Sequence, residues 1–305
     1  MSGNVKGTRK QKTIKDNAST LDGFKFTPEL VTALLIAGLY AILLTETGLT
    51  GGMFGLGFSV FLLTAFLVFA YLVRKGALKG QRKLGPLIYV FLGLSVFAPA
   101  WELLQLVYVI GTADMSMALW PAIIGATNAI VSAFVIAGIL HIEKTSLKEI
   151  YLQAGDGKII PAGIVGFLLS LILSIAGAYF IFGGSSIGSD SFAMLTVSVA
   201  VFALLGGIFE EVLFRGLLLS RAVRLLGDSQ GNIYQSLVFG VFGSVLFYMI
   251  IQLVEFIPVI FILCAMTGYY WGRATLKSKS LITPMLLHAG LYMLIILPIV
   301  TGSMT

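Results

Sequence analysis

The sequence predicts an all-α, polytopic membrane protein with about eight or nine transmembrane helices, and three observations carry that prediction. Of 305 residues, 58% are hydrophobic and 11% charged, against roughly 25% charged in a soluble domain. Apolar stretches near the ~20 residues needed to cross the hydrocarbon follow one another almost without a break from 30 to 300. The basic residues alternate: loops 74–83, 141–158, 221–234 and 273–280 hold five, three, two and three Lys or Arg, whereas the intervening loops near Glu46, Asp114, 185–190 and Glu255 hold none. That bias orients a multi-pass chain with its N-terminus and basic loops in the cytoplasm, a plasma membrane being the simplest host.

Taken in order, residues 1–29 are polar, carry six bases and lack the apolar core of a signal peptide, so they are expected to form a cytoplasmic tail. Spans are then expected near 30–45, 53–73, 84–110, 117–140, 159–183, 193–219, 235–254, 258–272 and 281–300, the seventh and eighth parted only by Glu255 to Pro258. The segment 141–158 mixes Ile, Leu and Tyr with charges at helical spacing and reads as a short interfacial helix. Glycines 51, 52, 55 and 57 read as close helix packing, because no Lys/Ser pair follows to make a phosphate loop. The division expected is a basic tail over 1–29, N-terminal transmembrane helices and the interfacial segment over 30–158, and a transmembrane core over 159–300. One cysteine, Cys264, and two histidines, His141 and His288, make neither an intrachain disulfide nor a typical zinc site. No cofactor, metal or nucleic acid is expected, the basic surplus being assigned to loop orientation.

Charge inside a span costs about 2.5–3.5 kcal/mol per residue at its centre, so each such residue needs a reason. The densest group is GGIFEEVLFRGLLL. Glu211 and Arg215 stand four apart, acid first, as an ion pair on one helix face requires. Glu210 points about 100° away from Glu211 and is therefore expected to project toward another helix, where apolar surroundings suit a carboxyl to proton transfer. His288 and Tyr292 share a face of the last span, and both can donate hydrogen bonds. Asn128 reads as an interhelical hydrogen-bonding residue, Glu102 as an interruption of the third span or a seat for a neighbour's backbone, and Glu255 as an outer boundary.

The order EEVLFRGLLL, QSLVFG, then GYYWGRATLKSKSLITPMLLHAGLY resembles the CAAX protease and bacteriocin-processing family of intramembrane glutamate proteases over about residues 160–297. The resemblance implies a helical fold around a cavity open to the cytoplasmic leaflet, in which an activated water hydrolyses membrane-anchored or prenylated peptides. It implies Glu210 as general base, Glu211 and Arg215 as its support, and His288 as an oxyanion donor. Two positions depart from the family pattern. Where F-x-x-x-H would place a second histidine, Phe239 is followed by Gly243, with Ser244 beside it as a candidate holder of a bound water. Where H-x-x-x-N would end in Asn, Tyr292 stands, whose hydroxyl can still donate. Two functions follow: an intramembrane endopeptidase weakened or lost by the missing histidine, or a non-catalytic scaffold, regulator or immunity protein using the same cavity to bind a membrane partner. A proton-coupled transporter is disfavoured because the charges cluster at one end of one helix.

Overall fold

The computed structural model describes residues 27–50, 52–77, 83–100, 103, 117–251 and 254–304. Almost all of them are helical: α1 Pro28–Thr50, α2 Gly52–Lys75, α3 Gly85–Ser95, α4 Trp120–Glu143, α5 Ile160–Phe180, α6 Ser189–Glu211, a π-helix Val212–Leu218, α7 Leu219–Leu226, α8 Asp228–Ile251, α9 Ile257–Ser278 and α10 Ile282–Met304. Each of the nine expected spans contains a helix. Six helical stretches among the described residues are long and apolar enough to cross a membrane. Their outward residues are apolar as well, Leu35, Phe54, Phe134, Leu173 and Phe180 among them, which fits contact with a lipid bilayer. The tail up to residue 26, Glu102 and Asp114 lie outside the described residues.

The helix ends follow local chemistry. Proline occupies the first turn of α3, α4, α5 and α9, where its missing N–H removes no intrahelical bond. Lys144 and Lys279 close α4 and α9 in the left-handed region, with φ of 54° and 56°, and Gly227 at φ +83° turns the chain from α7 into α8. The single interfacial helix expected over 141–158 is instead split. His141 lies in the last turn of α4, which ends at Glu143, and beyond it come two short 3-10 turns, Leu147–Ile150, fixed by a capping box between Ser146 and Glu149, and Gly157–Ile159. Polar side chains bonding the backbone compete there with helix continuation.

Helix α10 packs between α5 and α6, α4 lies along α6, and α9 pairs with α8. Close approach is set by glycines other than the expected run: Gly57 faces open space, whereas Gly125 abuts the Phe202 backbone and Gly207 the Ala289 backbone. Two apolar cores result. One gathers α1 to α3 around the π-helix and α8, with Phe66, Phe91, Phe214 and Leu217 at its centre. The other joins α5, α6 and α10 through Leu195, Val199, Met293 and Leu297. The polar cluster lies between them.

Candidate functional site

Glu210 and Glu211 end α6, Arg215 sits in the π-helix that follows, and His288 and Tyr292 project from α10. The contact of Gly207 with Ala289, where even a Cβ would stand 2.8 Å from the backbone nitrogen, brings the two helices close enough for these five side chains to meet. The π-helix returns Leu219 N–H to the Phe214 carbonyl. Single π-turns widen a helix locally and accompany functional sites.

Arg215 Nη1 donates to Glu211 Oε1 at 2.8 Å, both side chains fully buried. His288 Nδ1 lies 2.7 Å from the same oxygen, an arrangement in which the ring N–H donates to the carboxylate. The other guanidinium atoms, Nε and Nη2, have no hydrogen-bonding partner. The guanidinium lies instead 3.8 Å from the Phe239 ring centre and 5.3 Å from that of Trp271, an attraction worth about 2 kcal/mol when desolvated. Glu210 points elsewhere, as the helical rotation requires: its Oε1 accepts from the Tyr292 hydroxyl at 2.6 Å, and its Oε2 lies 3.7 Å from His288 Nε2. The imidazole is enclosed by Phe239, Trp271 and Tyr292, with ring centres 5.7, 5.3 and 4.6 Å away.

Of these residues Glu210 alone lines the adjoining cavity, its side chain 17% exposed. The cavity is almost wholly apolar, walled by Phe97 and Leu94 from the N-terminal helices and by Phe202, Phe209 and Phe242. His288 and Tyr292 stand behind the carboxylate, and the Tyr292 hydroxyl is committed to it. The Asn128 side chain makes no interhelical hydrogen bond among the described residues; it faces the cavity too. The Ser244 hydroxyl donates to the Val241 carbonyl at 2.9 Å, within its own helix.

Three features were not apparent in the sequence. A Cβ at Gly243 would stand 2.7 Å from Cys264 Sγ, so the space left by the missing histidine is filled from α9. Glu143, at the end of α4, receives hydrogen bonds from Arg221 Nε, at 3.0 Å, and from Nη2, with Arg221 buried. The segment after α4 covers the basic end of the site: Ile150 is fully buried, its carbonyl near Gly216, and Leu281 N–H donates to the Tyr151 carbonyl. Among the described residues no group of His, Cys, Asp and Glu is placed to hold a metal ion.

Fold and site together define a helical membrane protein with an intramembrane acid cluster opening on an apolar cavity. Within it, residues 192–294 match the family model of the type II CAAX prenyl endopeptidases, Rce1-like, in agreement with the resemblance carried by the acid and histidine motifs, and the chain is thus CAAX-protease-like over that stretch. No curated protein and no solved structure matches the chain.

Proposed function

We propose that the protein binds a membrane-anchored or lipidated peptide in this cavity, with Glu210 meeting its polar groups, and that hydrolysis there is attenuated. The observation carrying this reading is that Glu210 is the single ionisable side chain among the described residues of the cavity wall while Cys264 occupies the space beside Gly243. Cleaving an amide needs a base to take a proton from water and an acid to give one to the departing amine. Here Glu210 does both in turn: it accepts the water proton as the C–O bond forms and returns it to nitrogen as the C–N bond breaks. A missing acid/base partner typically costs about 10²–10⁴ in rate. Glu211 and Arg215 cancel each other's charge beneath Glu210, and His288 and Tyr292 orient it. The described bases Lys83, Arg221 and Arg224 lie together, and Lys279 stands over Tyr151 beside them, so the basic junctions gather at one end of the helices, which supports a cytoplasmic N-terminus and a plasma-membrane setting.

A full endopeptidase is the second reading, favoured by the 3.7 Å separation of Glu210 and His288, within reach for shared protonation. Wild type and Glu210→Gln, reconstituted in vesicles with a panel of membrane-anchored peptides, separate the two. The expected result is several-fold weaker peptide retention by Glu210→Gln, with cleavage by wild type near background. Robust cleavage by wild type that disappears in Glu210→Gln would overturn attenuation and establish the endopeptidase.

A further inference from the structure

Among the described residues, cations line clefts at the basic end of the helices. In one, between α1, α3 and α7, Arg221 and Arg224 face Lys83 and Glu29, and both arginines are already paired, with Glu143 and Glu149. Another lies between the last turns of α9 and the 3-10 turn leading into α5, lined by Arg273, Lys277, Tyr270, Asp156 and Ile159. Its cations are unspent. Of the four arginines after residue 117, Arg215, Arg221 and Arg224 each meet a carboxylate, whereas Arg273 makes, among the described residues, one long contact of 3.5 Å from Nη1 to the Tyr269 hydroxyl. Lys277 has no partner among the described residues, and Lys279 beyond it turns to the Tyr151 ring. Loop orientation calls for bases at this end of the helices, but it does not call for a cleft in which they converge unpaired.

The chemistry of the cleft continues along one helix face. Val259, Leu263, Met266, Tyr270, Arg273 and Lys277 recur at intervals of four and three residues and so share a side of α9. The first four are each more than half exposed, and the two cations are exposed as well. An apolar run, then a tyrosine, then cations is the order in which a bilayer passes from hydrocarbon through the interface to the headgroups. A guanidinium presents a fork of N–H donors that matches phosphate oxygens, and a lysine one turn on adds a compact charge. Across the cleft, Asp156 Oδ1 accepts the Lys158 N–H at 3.2 Å and caps the 3-10 turn that forms the far wall. Two cations against one carboxylate leave a net positive charge, which complements a headgroup with a net negative charge rather than a zwitterionic one.

We infer that this cleft is a binding site for an anionic phospholipid, with the phosphate held between Arg273 and Lys277 and an acyl chain lying along the apolar face of α9. The inference needs only contact with a bilayer and stands apart from the peptide-binding reading of the Glu210 cavity. The site lies at the joint where the Asp156 N–H donates to the Ser278 carbonyl at 2.8 Å, so its occupant braces the turn that leads into α10, the helix carrying His288 and Tyr292.

The test is native mass spectrometry of the full chain in detergent, titrated with phosphatidylglycerol, phosphatidylcholine or phosphatidylethanolamine of equal chain length. Wild type is compared with three variants. Arg273→Gln with Lys277→Gln empties the cleft of cations; Arg74→Gln with Lys75→Gln removes the same charge from the exposed last turn of α2; Asp156→Asn keeps a capping oxygen and removes the opposing charge. Expected in wild type is one saturable phosphatidylglycerol site, about 10–30-fold tighter than either zwitterionic lipid, from two bases acting on one anionic headgroup. The Arg273 and Lys277 substitutions are expected to abolish that preference, the α2 pair to leave it in place, and Asp156→Asn to strengthen it several-fold. No preference in wild type, or a loss as large from the α2 pair, overturns the site in favour of diffuse attraction to anionic lipid. Phosphatidylethanolamine bound as tightly as phosphatidylglycerol, or weaker phosphatidylglycerol binding in Asp156→Asn, overturns the anionic headgroup. Glycerophosphoglycerol, the same headgroup without acyl chains, is expected to compete poorly; competition at equal concentration overturns the part given to the apolar face of α9. The wild-type lipid series and Asp156→Asn decide the matter even if the Arg273 and Lys277 variant does not fold.

Discussion

Returning a histidine to position 243 should raise peptide cleavage only when Cys264 is removed with it. In Gly243→His alone, the new Cβ would sit 2.7 Å from Sγ and 3.2 Å from Cβ of Cys264, against an optimum of about 3.5–4.0 Å for nonbonded heavy atoms. Helices α8 and α9 would have to part by roughly 1 Å, and overpacking of that kind costs about 1–3 kcal/mol. Cys264→Ala removes the sulfur and leaves a contact that a few tenths of an ångström relieve. The imidazole would then enter a space within electrostatic range of Glu210 and Arg215, as Cys264 is now, and supply the second proton carrier, for a gain of about 10²–10⁴ in rate. The assay is the initial rate of cleavage of a fluorogenic membrane-anchored peptide in proteoliposomes. Wild type, Gly243→His, Cys264→Ala and the double variant are compared, with thermal stability measured in parallel. A double variant as stable as wild type but no faster would refute the argument that a missing proton carrier limits the chemistry. A single Gly243→His as active and as stable as the double would refute the argument that Cys264 blocks the space.

Besides the Glu210 experiment, two outcomes test how the basic end is built. Arg221→Ala strands the Glu143 carboxylate, whose Oε1 is buried, and should cost about 3–5 kcal/mol, whereas Arg224→Ala removes an exposed, solvent-screened pair with Glu149 and should lower the unfolding temperature far less; thermal unfolding in detergent compares them. Glu149 is held below its ordinary 4.5, first by the Ser146 backbone N–H, then by the Ser146 hydroxyl and Arg224. A carboxyl depressed in the folded state contributes stability above its unfolded pKa and loses it as pH falls through the lower folded value. Amide exchange over 146–158, corrected for intrinsic rates, should therefore be unchanged from pH 7 to about 5 and increase only below 4.5; an increase already complete at pH 6 would count against this capping.

The sequence yielded the bundle and the acid cluster for a shared reason: both depend on short-range periodicity. Glu211 with Arg215 and His288 with Tyr292 are four-residue relations on one helix, and the turn of about 100° between Glu210 and Glu211 follows from helix geometry alone. What stayed hidden depends on where helices cross. The contact of Cys264 with Gly243 joins α9 to α8, and Arg221 finds Glu143 78 positions away, a pairing that no local pattern marks. A polar residue in an apolar run normally satisfies a neighbouring helix, so the sequence predicts a tie at Asn128; that it faces a cavity instead follows from how α1, α3, α4 and α8 meet α6. The helix expected over 141–158 gave way to a capped turn because Ser146 and Glu149 bind the backbone on the spot.

The Arg221–Glu143 pair has a consequence for any attempt to excise the endopeptidase-like stretch. A fragment beginning at residue 192, or at the boundary expected near 159, would carry Arg221 without its counter-charge and Glu210 without the opposing wall that Phe97, Leu94 and Asn128 supply. The same holds for a chimera that grafts those helices onto a foreign N-terminal half: unless the recipient brings an acid at the end of the helix alongside α6, the graft inherits an orphan cation. In this protein the functional unit is therefore larger than its recognisable part, and its evolution would be expected to tie changes at the two positions together.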